Sequence, residues 1–132
     1  MSQENVEIVR AIHDEWEQGN LGAGREFYDR DIVFLPRRDL PHPGRRLGPE
    51  GIRDWMRQWL EAWVDFTLTA EELIAAGESV IVRVRQRGTG KASEAPVELT
   101  FFQVWTFRGR SVIRIEQFET RHEALEAAGL EK

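Results

Sequence analysis

The side chains best suited to proton transfer at neutral pH are three histidines, at positions 13, 42 and 122. His13 falls between Val9 and Trp16 on an apolar helical face. An imidazole there serves either as a general base or as a buried, hydrogen-bonded core group. His42 sits in a proline-rich loop that could close over a pocket mouth, and His122 follows the last strand as a surface residue. Asp31 and Asp39 flank the first strand and read as turn or capping groups ahead of pocket acids. The histidines show neither paired spacing nor an adjacent ligand motif, so no metal site and no cofactor is expected. The sequence has no cysteine, which excludes disulfides, thiolate metal sites and cysteine nucleophiles. Gly88-Thr89-Gly90-Lys91-Ala92 looks superficially like a phosphate loop. It has Ala92 where Ser or Thr should follow the lysine, and it joins two strands, so it reads as a hairpin turn.

These side chains must be positioned by elements whose hydrophobic period changes along the chain. Val6, Val9, Ile12, His13 and Trp16 recur at the spacings of one helical face, which predicts a helix over 3–18 capped by Ser2 and closed at Gly19. A short helix over Ala23–Tyr28 and a brief strand, Ile32–Leu35, follow. Prolines and glycines make 36–48 a loop long enough for a lid or rim. Gly48-Pro49 opens a second long helix, with a stripe of Ile52, Trp55, Met56, Trp59, Leu60 and Trp63. That stripe is mainly core, with one end able to reach a pocket. The period then drops to two through Phe66–Ala70, Val80–Arg87, Val97–Phe107 and Val112–Glu119, four strands joined by short, antiparallel connections. Thr120 and Glu123 form a capping box for a last helix ending at Gly129.

With 132 residues the chain is one domain, 1–132, able to bury about two-thirds of its unfolded surface. Segregated helices and meander strands argue an α+β fold with helices on one sheet face. The 18 basic residues are scattered among 23 acidic ones, giving a net charge of −5, so nucleic acid and anionic membranes are not expected partners. The N-terminus is polar and acidic, unlike a signal peptide, and no apolar run approaches the ~20 residues of a membrane span. The expected location is the cytoplasm. Five tryptophans and seven phenylalanines supply core and, beyond it, the lining for an apolar ligand.

The element order, together with Glu4–Leu21, Phe27–Phe34, Leu47–Trp55 and Val104–Leu130, resembles the SnoaL-like branch of the nuclear transport factor 2-like superfamily. The resemblance covers nearly the whole chain. It implies a cone: a strongly curved, mainly antiparallel sheet wrapped around three to four helices, with a pocket at the open end. Strand residues alternate between faces, and the resemblance turns Val82, Val84 and Gln86 inward with Gln103, Trp105, Ile113, Ile115 and Gln117. The three inward polar positions are then all glutamines. Where similar steroid isomerases carry a tyrosine, an aspartate base and an oxyanion aspartate, this chain has Ile12, Pro36 and Gln103. Where limonene-type epoxide hydrolases carry an aspartate–arginine–aspartate set, it has Gln86, Val84 and Gln117. An amide orients water but does not take its proton at neutral pH, so neither mechanism is supplied.

Two functions follow from that reading. The first is a pocket of ~300–1000 Å³ for a small hydrophobic or polycyclic molecule, with cofactor-independent cyclase or isomerase chemistry. His13 would be the base, Gln103 would polarise a carbonyl, and Trp16, Phe34, Trp55, Trp59, Val84, Gln86, Trp105, Ile115 and Gln117 would bind the ligand. The second is a non-catalytic ligand-binding or dimerisation module in which the glutamines only orient the ligand. The opposite sheet face carries Phe102, Val104, Thr106, Val112 and Phe118 among Arg83, Arg85, Arg114 and Glu116. A monomer would expose that patch unless the terminal helix covered it, which predicts a back-to-back homodimer.

Overall fold

The period-two alternation from residue 63 onward forms one continuous curved sheet, seen in a computed structural model that describes residues 2–40 and 44–130. Chain order is α1 (Ser2–Glu17), β1 (Tyr28–Leu35), β2 (Arg46–Leu47), α2 (Gly48–Glu61), β3 (Trp63–Ala76), β4 (Ser79–Gly90), β5 (Pro96–Arg108), β6 (Ser111–Phe118) and α3 (Arg121–Ala127). A single 3₁₀ turn, Arg25–Phe27, replaces the short helix expected there, and Tyr28 already belongs to β1. Pro41, His42 and Pro43 lie outside the described residues, so the expectation for His42 is left there.

The sheet order is β2-β1-β6-β5-β4-β3. The β3–β6 meander is antiparallel throughout, as its short links require, but β1 pairs with β6 in parallel. A parallel neighbour needs a long crossover, which α2 and the whole meander provide. The sheet is therefore mixed and unclosed, an α+β cone with α1 and α2 in its hollow. Register shifts at Val64/Thr67, Ala70/Glu72 and Thr106/Phe107 mark irregularities of the kind that bend a sheet.

Two details depart from the sequence pattern. Trp63 opens β3 opposite Gly90 and is not the last rung of the α2 stripe. A Cβ on Gly88 would lie 3.1 Å from its ring, so the missing side chain is what lets the indole cross that strand. On β6, Val112 lies in the inner core at 0% exposure, whereas Ile113 joins neither hydrophobic cluster. The register passes from Thr106↔Arg114 to Phe107↔Val112, so the extra residue at 113 reverses the parity.

The inner face packs Val80, Val82, Val84, Phe101, Trp105 and Phe107 against Val9, Ile12 and Trp16 of α1. On the outer face, Ile81, Phe102 and Val104 are buried with Ala124 of α3. Phe102 and Val104 of the apolar patch from which a homodimer is expected are thus buried within one chain, while Phe118 stays partly exposed. Beside that cluster the sheet carries ion pairs: Arg85 pairs with Glu71 at 2.8 Å and Arg87 with Glu98 at 3.2 Å. The capping box at Thr120 and Glu123 that starts α3 is complete. Among the described residues no helix is long and apolar enough to cross a membrane.

Candidate functional site

The polar centre of the hollow is built around one amide oxygen. Trp105 Nε1 donates to Gln103 Oε1 at 2.9 Å, and His13 Nε2 lies 2.9 Å from the same oxygen. An indole N–H only donates, so the Gln103 amide has its oxygen on this side. That oxygen only accepts, so His13 carries its proton on Nε2. The remaining lone pair, on Nδ1, is buried without a partner. Burial lowers the His13 pKa from 6.5 to about 4, against weaker opposing effects of the Gln103 hydrogen bond and Asp14. The ring is 1% exposed, meets Trp16 edge-on at 4.7 Å, and lines neither of the two cavities that meet at the helices. The general-base expectation for His13 thus meets a ring whose Nε2 is bonded and whose Nδ1 is buried. Neither ring nitrogen is open to a ligand, and the side chain acts as a neutral core group that holds Gln103.

Two cavities meet at the helices. The inner one is lined by Phe34, Trp55, Trp59, Gln86, Gln103, Ile115 and Gln117, and by Trp16, Tyr28, Ile52 and Met56, which it shares with the outer one. It encloses only about 30 Å³, far below the expected volume and room for about one or two waters. The outer cavity measures about 530 Å³ and carries no glutamine. Val84 and Trp105, both 0% exposed, sit behind the lining and touch neither space. Ring packing fills the inner space: Trp55 stacks on Trp59 at 5.7 Å and meets Phe34 edge-on at 4.9 Å.

The amide ends left without partners are the chemically available groups. Gln86 is 3% exposed and its Nε2 is buried with no partner. Gln103 Nε2 has no partner among the described residues, since its only hydrogen bonds run through Oε1. Gln117 Oε1 accepts from the Arg37 backbone N–H at 3.4 Å. Among the described residues the inner lining contains no carboxylate and no histidine. The steroid-isomerase base position, Pro36, is buried, and Ile12 is core.

Arg37 and Tyr28 were missed from sequence. The Arg37 guanidinium is held bidentately by Asp39, at 3.0 and 3.1 Å, and lies 5.0 Å over the Phe101 ring. Its only local signal is the Arg-x-Asp spacing after Pro36, which is common in surface loops. Tyr28 was hidden by the misplaced start of β1. Its hydroxyl lies 3.0 Å from where a Cβ on Gly24 would be, so the glycine makes room for it, and burial raises its pKa. Asp31 lies exposed inside β1, not in the turn expected for it, and its backbone N–H donates to the Asp29 carboxylate at 2.9 Å.

The open cone with its aromatic hollow has the fold of nuclear transport factor 2-like proteins. Within that class residues 9–115 match the SnoaL-like domain family, and the chain belongs to it. No curated protein matches the sequence. A nuclear transport factor 2-like protein of Burkholderia thailandensis superposes with a TM-score of 0.81 at 22% identity, covering 96% of this chain and 95% of its own. A protein of Catenulispora acidiphila with a ketosteroid isomerase-like fold, in complex with trimethylamine, gives 0.74 at 19% identity over 94% and 93%. TerC, co-crystallised with polyporic acid, gives 0.75 at 18% over 95% and 98%. At these identities the likeness is one of fold.

Proposed function

We propose that this chain binds a small, flat, apolar molecule that carries a carbonyl oxygen. The ring body rests in the outer cavity against Trp16, Ile52 and Leu60, and the oxygen turns toward the inner chamber. One observation carries the reading: a buried amide nitrogen, Gln86 Nε2, is unpartnered in a chamber that Gln103 Nε2 also lines as a donor. A buried donor without a partner costs about 1–3 kcal/mol, and a ligand oxygen removes that cost. Tyr28 adds a third donor at the boundary, since its raised pKa keeps the hydroxyl protonated at neutral pH. Met56, at the same boundary, is the flexible side chain whose movement joins the two spaces. The small molecules bound by TerC and by the Catenulispora protein support a ligand-binding role for this hollow.

The donors can polarise a carbonyl, but nothing described in the inner lining takes a proton. Binding is therefore favoured over proton-transfer catalysis. Titrating the tryptophan fluorescence with 9-fluorenone and with fluorene, which lacks only the oxygen, tests this. The ketone should bind about three- to tenfold tighter, the worth of one hydrogen bond. Equal affinities, or no binding of either, would overturn the carbonyl reading.

A further inference from the structure

The net charge of the chain is −5, yet the side chains lining the outer cavity run the other way. Arg25, Arg53, Arg57 and Lys91 line it against one carboxylate, Glu61, among the described residues. Arg25 is paired with Glu50 at 3.0 Å and Arg53 lies 3.7 Å from Asp54, two acids that do not themselves line the cavity. Arg57 and Lys91 have no ion-pair partner among the described residues. Deeper in, Tyr28 and Gln103 Nε2 are further donors, and the Asp39-paired Arg37 guanidinium stands in the inner wall.

We infer that the outer cavity selects ligands bearing an anionic substituent, such as a carboxylate, on the edge that stays at the mouth. The inference rests on the ligand-binding reading above and adds the charge of the ligand to it. Its physical basis is the arrangement of lining groups. An apolar floor takes the ring, and two unpaired cations at the rim meet whatever projects from it. Because the rim is solvated, its attraction is modest and falls with salt. A neutral ligand gains nothing from Arg57 or Lys91. A cationic one is repelled by everything at the mouth except Glu61.

The matched probes are 9-fluorenone-2-carboxylate and 9-fluorenone-2-carboxamide, titrated by tryptophan fluorescence at 50 and 500 mM NaCl. The acid should bind about fivefold tighter at low salt, in keeping with two solvated charge pairs, and the advantage should shrink at high salt. In the Arg57→Gln/Lys91→Gln double variant the acid-to-amide ratio should fall to near one. In Glu61→Gln it should rise. Acid and amide binding alike at low salt, with fluorenone still preferred to fluorene, would overturn the anion inference and leave the carbonyl reading standing. An advantage that survives the double variant would also overturn it, because the attraction would come from elsewhere. Failure of fluorenone, acid and amide all to bind would overturn both.

Discussion

Both lone pairs of the Gln103 oxygen are taken, by Trp105 and by His13, and this single fact sets the chemistry of the hollow. It fixes the amide orientation, the imidazole tautomer and the donor end that faces the cavity. It also makes His13 a stability group with a definite pH signature. Its folded pKa of about 4 lies below the unfolded value of 6.5, so folding favours the neutral ring. The contribution is complete above pH 6.5 and is lost as pH falls through the window toward 4, a loss on the order of 3 kcal/mol. Urea denaturation between pH 7 and 4 should show this decline, and the His13→Gln variant should lack that component of it. A wild-type stability flat over that window would contradict the assignment. Sequence spacing made the apolar setting of His13 legible, and strand alternation put Gln103 and Trp105 on one face. The contact between them joins residues 90 apart, and no local pattern carries such a contact.

At the scale of elements, periodicity identified every long helix and strand, because each has one face to bury. It failed where geometry departs from a regular repeat. The residue inserted at Ile113 reverses parity on β6, and β1 begins four residues earlier than its apolar run. Trp63 fits a helical stripe by spacing but is claimed by β3, where Gly88 leaves it room. Helix α3 matters most for interpretation. Its capping box was legible, but its docking site was not, since a seven-residue helix shows too little pattern to say which face of a sheet it covers. Val104, 4% exposed beside Ala124 at 0%, now belongs to the core of one chain. Val104→Glu should therefore lower the stability of the chain by ~3 kcal/mol or more, the cost of an unpaired buried carboxylate. Thermal or urea denaturation checks this. A variant that kept its stability and merely changed its mass in light scattering would instead place Val104 at a homodimer interface.

At the scale of the whole molecule, the hollow is divided into a roomy outer cavity and a nearly filled chamber that holds the polar groups. Sequence alone gave the aromatic and glutamine lining but not this division, which depends on how Trp55, Trp59 and Phe34 fill the space. The proposed ligand site depends on amide donors left unsatisfied in the chamber for a ligand oxygen. Gln86→Leu tests it most directly, because it removes the stranded nitrogen while nearly conserving volume. Two quantities would be measured on the same protein: urea stability, and the ratio of 9-fluorenone to fluorene affinity. The account predicts a variant more stable by about 1 kcal/mol, as relief of an unmade hydrogen bond allows, and a ketone preference reduced toward one. A variant that is less stable and keeps the full ketone preference would contradict it.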